Sequence, residues 1–159
     1  MPHSIGLGMI GTDSLSDRIL NGILKNNVVA ANQIHIAEKN NEQRDKYIAR
    51  GIDCVPDLSA SVLRSEVLIL TSDRKEYPTL LSEICGTTRG RVLVSMVPGR
   101  DCAYVQDRVA KATHVVCVDS ADREDGTHVS RLVYSERFPN HMKSAIEDIF
   151  RTIGDIEVA

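Results

Sequence analysis

Residues 4–10 (Ser-Ile-Gly-Leu-Gly-Met-Ile) are apolar and small almost without a break, the pattern of a short buried strand. A helix is expected over 14–25, because Leu15, Ile19, Leu20, Ile23 and Leu24 fall on one helical face. Strand 33–37 sets Ile34 and Ile36 on one side and His35 on the other, where a satisfied, partly buried histidine is expected. A helix over 41–50 closes at Gly51, a good left-handed cap. The alternation continues with strand 53–55, stopped by Pro56, and helix 58–64. Strand 66–71 follows, built on Val67-Leu68-Ile69-Leu70, then helix 78–85, strand 92–97, helix 101–111 and strand 114–118. Residues 119–126 (Asp-Ser-Ala-Asp-Arg-Glu-Asp-Gly) read as a polar loop. A strand over 129–134, a helix over 139–153 and a strand over 156–158 complete the chain.

Strands alternating with helices imply a doubly wound, mostly parallel α/β sheet with helices on both faces, Rossmann-like, in a single domain spanning 1–159. Ligands of such sheets sit at the carboxyl ends of the strands, beside strand one. Residues 11–15, 38–40, 71–74, 97–99 and 119–121 are therefore the positions where a site is expected. Strand one, its turn and the following helix have the layout of a dinucleotide-binding opening.

Aromatic residues make up only 4% of the chain and Trp is absent, so the core must come from Val, Ile, Leu and Ala, as a covered parallel sheet requires. The net charge of −3, with no basic patch, argues against nucleic acid as a partner. No apolar run approaches the ~18 residues of a membrane span, and the start, Met-Pro-His-Ser, does not have the form of a secretory signal; a cytoplasmic location is expected. Cys54, Cys85, Cys102 and Cys117 form no C-x-x-C pair and read as small buried hydrophobes. His114 and Cys117, three apart in a strand, face opposite ways, so no metal site is expected. Asp73 and Arg74 are expected to pair on the surface. No nucleophile–base pair or carboxylate dyad marks a catalytic residue.

The order of segments, together with Gly8-Met-Ile-Gly-Thr-Asp-Ser-Leu, Ile19-Leu-Asn-Gly-Ile-Leu, Gly90-Arg-Val-Leu-Val-Ser-Met-Val-Pro-Gly and Ile149-Phe-Arg-Thr-Ile-Gly-Asp-Ile-Glu-Val, resembles the N-terminal, cofactor-binding domain of the pyrroline-5-carboxylate reductase family. The resemblance runs from Ile5 to Val158. It implies a Rossmann fold with NAD or NADP as cofactor, and a second, helical domain that forms the dimer and the proline-side active site; that domain would begin where this chain stops. The sequence departs from the family at the cofactor loops. The family's G-x-G-N-M turn is Gly11-Thr12-Asp13-Ser14-Leu15 here, its V-K-P is Ser72-Asp73-Arg74, and its M-P-N is Val118-Asp119-Ser120.

In such a turn the second glycine lets the backbone approach a pyrophosphate, and the helix N-terminus supplies donors. Asp13 adds bulk and a negative charge there. Two unit charges about 4 Å apart repel by roughly 4 kcal/mol at an effective dielectric near 20, on the order of a thousandfold in affinity. The carboxylate is expected to cap the helix and fill the anion site itself. Glu38, after strand two, stands where an acid holds a ribose 2′-hydroxyl and favours NAD over NADP, with Lys39 beside it. Asp13, Asp73, Asp119, Asp122, Glu124 and Asp125 are expected to make the crevice acidic.

The site residues expected from the sequence are thus Gly11, Thr12, Asp13, Ser14, Leu15, Glu38, Lys39, Thr71, Ser72 and Asp119. No cofactor is expected to bind tightly, with NAD or NADP the nucleotides to test. A non-catalytic module for a small ligand or protein partner is the first expectation, a monomer or weak homodimer. The alternative is the nucleotide-binding domain of an oxidoreductase that works with a second domain.

Overall fold

The structure, a computed structural model, describes residues 2–11 and 14–159. The strands are β1 (Leu7–Ile10), β2 (Ile34–Ala37), β3 (Asp53–Val55), β4 (Val67–Leu70), β5 (Val92–Ser95), β6 (His114–Asp122), β7 (His128–Tyr134) and β8 (Asp155–Val158). The helices are α1 (Ser14–Lys25), α2 (Asn41–Ala49), α3 (Leu58–Arg64), α4 (Tyr77–Ile84), α5 (Cys102–Gln106) and α6 (Asn140–Arg151). The strands form one sheet in the order β3-β2-β1-β4-β5-β6-β7-β8. β1 to β6 run parallel, and β7 pairs antiparallel with β6. The chain winds outward through β2 and β3, then returns to the other side of β1 at β4. The carboxyl end of β1 is therefore the switch point of the sheet.

Period-two burial divides the core between two faces. Val67 and Ile69 of β4 face a layer with Ile19, Leu20 and Ile23 of α1 and Ala145, Ile146, Ile149 and Phe150 of α6. Leu68 and Leu70 face the opposite layer with Val62 of α3, Tyr77, Leu81 and Ile84 of α4 and Val105 of α5. His114 packs edge-on against Phe138 in the first layer, while Cys117 joins the second, as their spacing requires. His35 is buried, and its Nδ1–H donates to Asp53 Oδ2 at 2.7 Å.

Two expected elements differ. Residues 119–122 are not loop: Asp119 pairs with Arg131, Ser120 with Ser130, Ala121 with Val129 and Asp122 with His128. The antiparallel partner extends β6 as a ribbon whose exposed polar side chains carry no apolar signal. The helix expected over 101–111 is the shorter α5, closed at Asp107, with Ala112 turning the chain at a φ of 66°.

Candidate functional site

Gly11 ends β1 at a φ of +113°, a conformation that a residue with a Cβ adopts only with strain. A Cβ here would lie 2.0 Å from Thr71 Oγ1 and 2.5 Å from the Thr71 carbonyl oxygen. Glycine is thus required by close packing of the turn on the end of β4. Thr71 is buried, its N–H donates to the Ile10 carbonyl at 2.9 Å, and its hydroxyl hydrogen-bonds Ser16 of α1 at 2.7 Å. Thr71 is accordingly a latch that fixes the entry of α1 against β1 and β4.

Two cavities flank this turn. One, of about 650 Å³, is bounded by Gly11, Glu38, Lys39, Asp57, Leu58 and Glu83, with Ala37, Pro56 and Ser59. The other, of about 790 Å³, is bounded by Gly11, Thr71, Ser72, Asp73, Glu76 and Glu83, with Ile10, Thr79 and Leu80. Of the expected site residues, Glu38 and Lys39 therefore line one cavity, Thr71 and Ser72 the other, and Gly11 both. Thr12 and Asp13 lie outside the described residues. Ser14 is exposed at the start of α1, and Leu15 packs against the core.

Asp119 lines neither cavity. It stands exposed on β6 opposite Arg131, so its expected place in a crevice loop is corrected by the longer strand. The other acids of that segment are committed to the β6–β7 hairpin. Asp122 accepts from His128 Nδ1 at 2.9 Å, which holds its carboxyl below the usual range, and Asp125 accepts from the Thr127 N–H and hydroxyl.

The crevice is nevertheless acidic, through different residues. Glu38, Asp57 and Glu83 face Lys39 in the first cavity, and Asp73, Glu76 and Glu83 line the second. Asp57 follows β3, a strand end overlooked among the loops where a site is expected; its place after Pro56 was a signal that could have found it. Glu83, in the last turn of α4, carries no such signal.

One free N–H at the start of each of α2, α3 and α5 is taken by a side chain of the chain itself, whereas α4, whose first turn lines the second cavity, has no side-chain cap. Asn40 Oδ1 accepts from the Gln43 N–H at 3.1 Å, Asp57 Oδ1 from the Ala60 N–H at 2.8 Å and Asp101 Oδ1 from the Tyr104 N–H at 2.9 Å. Glu38 Oε1 accepts from the Asn40 N–H at 3.0 Å.

Asp73 and Arg74 do not pair. Asp73 Oδ1 takes the Glu76 N–H at 2.7 Å, closing a turn, while the Arg74 guanidinium lies against Gly99, about 3.0 Å from where a Cβ would stand. Arg100 and Arg108 lie over the Tyr104 ring at 4.5 and 3.6 Å. The two cavities are thus lined by carboxylates and Lys39, while Arg74, Arg100 and Arg108 line neither.

A further cavity of about 460 Å³ lies at the amino ends of the strands, lined by Arg64, Arg89, Arg91, His114 and His141. Arg91 is already engaged there: its guanidinium donates to the carbonyls of Val62, Leu63, Ser65 and Thr87, closing the C-terminus of α3.

Comparison with known proteins adds the following. The model of a family described as NADP oxidoreductase coenzyme F420-dependent matches residues 6–99. A pyrroline-5-carboxylate reductase of Staphylococcus aureus (strain COL) is 21% identical over 150 residues, covering 92% of this chain and 55% of that protein. One of Staphylococcus epidermidis is 20% identical over the same shares. The chain spans about half the length of the curated relatives it matches. Among solved structures, a pyrroline-5-carboxylate reductase from Coxiella burnetii superimposes with a TM-score of 0.86 at 16% identity, covering 99% of this chain and 59% of that one. The Plasmodium falciparum pyrroline carboxylate reductase with NADP bound gives 0.82 at 15% identity, with 100% and 59% covered. The Rossmann-like fold and the similarity to pyrroline-5-carboxylate reductases expected from the sequence are both found.

Proposed function

The chain belongs to the family described as NADP oxidoreductase coenzyme F420-dependent, and we propose that it is a domain of this kind whose crevice no longer favours a dinucleotide and which reduces nothing on its own. The acidic wall beside Gly11 carries this reading. The cavity of about 650 Å³ suits an adenosine in size, and Glu38 stands at the end of β2 where a ribose would lie. The same cavity sets three carboxylates against the single ammonium of Lys39. Each unpaired carboxylate within about 8 Å of a phosphate disfavours it by roughly 1–2 kcal/mol at effective dielectrics of 20 to 40. The caps of α2, α3 and α5 each occupy one N–H that a phosphate could otherwise use. A nicotinamide nucleotide, when held, would supply hydride; the residues toward it are Gly11, Glu38 and Lys39, with Glu38 rejecting a 2′-phosphate and so favouring NAD.

Thermal melting tests this. With NADH or NADPH at millimolar concentration the midpoint should not move, and Asp13→Gly should gain affinity. A ligand at 100 times its Kd would contribute about 2.7 kcal/mol, a shift of several degrees. A shift of that size in the unmodified chain favours a second reading. In it, the chain is the nucleotide-binding half of a reductase completed by another domain, which the family match and the NADP-bound relative support. Turnover of pyrroline-5-carboxylate by the chain alone would overturn the first reading outright.

A further inference from the structure

Two of the four cysteines meet. Cys54 Sγ points to the Arg44 carbonyl at 3.7 Å and Cys85 Sγ donates to the Ser82 carbonyl at 3.3 Å, each within its own neighbourhood. Cys102 opens α5, and Cys117 lies within β6, in register with Ser95 of β5 and Val133 of β7. Cys102 Sγ donates to the Val133 carbonyl at 3.3 Å, on the strand residue directly opposite Cys117, which places the two thiols beside each other. Both pack on the same apolar layer, and neither is fully buried.

We propose that Cys102 and Cys117 form a site of reversible oxidative modification, a dithiol that hydroperoxides convert to an intramolecular disulfide. The two sulfurs differ in the way this chemistry needs. The neighbouring Cys117 thiol holds the Cys102 thiol down to about 7, whereas the neighbouring Cys102 sulfur and burial push the Cys117 thiol up. Cys102 is the attacking thiolate and Cys117 the resolving thiol. The Cys102 thiolate attacks the peroxide oxygen and the O–O bond breaks. The oxygen that leaves takes the proton Cys102 gave up, departing as water or alcohol, and Cys102 becomes a sulfenic acid. The Cys117 sulfur then attacks the Cys102 sulfur. The S–O bond breaks, and hydroxide leaves with the Cys117 proton as water. Two thiols are oxidised by two electrons and one hydroperoxide is reduced. A thiol reductant reverses the step. The bond ties the start of α5, and with it the segment of Gly99 and Arg100 after β5, to β6, so the redox state sets the freedom of that segment.

The test uses the unmodified chain, reduced and then treated with hydrogen peroxide. Intact mass should fall by two hydrogens and recover with dithiothreitol. A non-reducing tryptic map should show peptide 101–108 joined to peptide 112–123. Alkylation of Cys102 should accelerate as pH rises through about 7 and exceed that of Cys54, whose thiol burial raises, by about tenfold or more at neutral pH. Cys117→Ser should accumulate a sulfenic acid at Cys102 that dimedone traps. Free Cys102 and Cys117 after treatment, or disulfides through Cys54 or Cys85 or between chains, would overturn the proposal. The mapping needs no variant, so a Cys117→Ser chain that fails to fold leaves the result readable.

Discussion

At the scale of single residues, the strongest constraints sit where backbone and side chain meet at the crevice. Gly11 has a left-handed φ and no room for a methyl group over Thr71. Gly11→Ala should lose about 2–4 kcal/mol, combining strain at a special φ with overpacking, read as a lower midpoint in urea unfolding. Asp53 is the second such position. Burial alone would raise its carboxyl, but hydrogen bonds from His35 and Arg64, at 2.7 and 3.0 Å, outweigh it and hold the group below the usual range. A carboxyl lowered by folding contributes stability above its unfolded value near 4, and that contribution is lost as pH falls through the folded value. Asp53→Asn should therefore cost about 1 kcal/mol at pH 7 and flatten the loss of stability below about pH 4. Urea midpoints at pH 7 and pH 3 measure both effects. Glycine at 11 could be read from the sequence as a turn residue. The partner that makes it obligatory, Thr71, is sixty residues away in the chain and could not.

At the scale of elements, helices with strong local signals were legible to the residue. α1 and α3 occupy the spans expected, and the amphipathic face that marks α1 is a local property. Asp57, with φ in the extended region and its side chain on the Ala60 N–H, starts α3. Asp57→Ala should cost about 1 kcal/mol by loss of that cap, visible as a lower melting midpoint. The same change removes one carboxylate from the crevice, so nucleotide affinity should rise, not fall, while stability drops. β6 was legible only to Val118, since its last four residues are strand by virtue of β7 alone. α5 was expected too long because Val105 and Val109 continue a helical pattern that the turn at Asp107 ends.

At the scale of the whole molecule, the sheet ends in β3, three residues long, and in β8, which carries Asp155 and Glu157. Both acids of β8 pair with Arg123, at 2.7 and 3.7 Å. Short or charged edges resist the addition of further strands. Light scattering should accordingly find the chain monomeric at micromolar concentration; a stable assembly would show that another face associates. The acidic character of the crevice is likewise a property of the assembled sheet. Glu38 and Asp73 were visible beside strand ends, but Asp57, Glu76 and Glu83 join them only when α3 and α4 pack across the carboxyl edge.

By itself the sequence determined the alternation of strands and helices, the parallel winding about β1 and the switch point at its carboxyl end, because these follow from periodicities of two and 3.6 residues and from the chirality of crossovers. Tertiary structure alone decided which carboxylates face that place, that Arg74 turns from Asp73 to Gly99, and that Cys102 meets Cys117. Each depends on the register between segments far apart in the chain, and register is set by how whole faces pack, which no local pattern records.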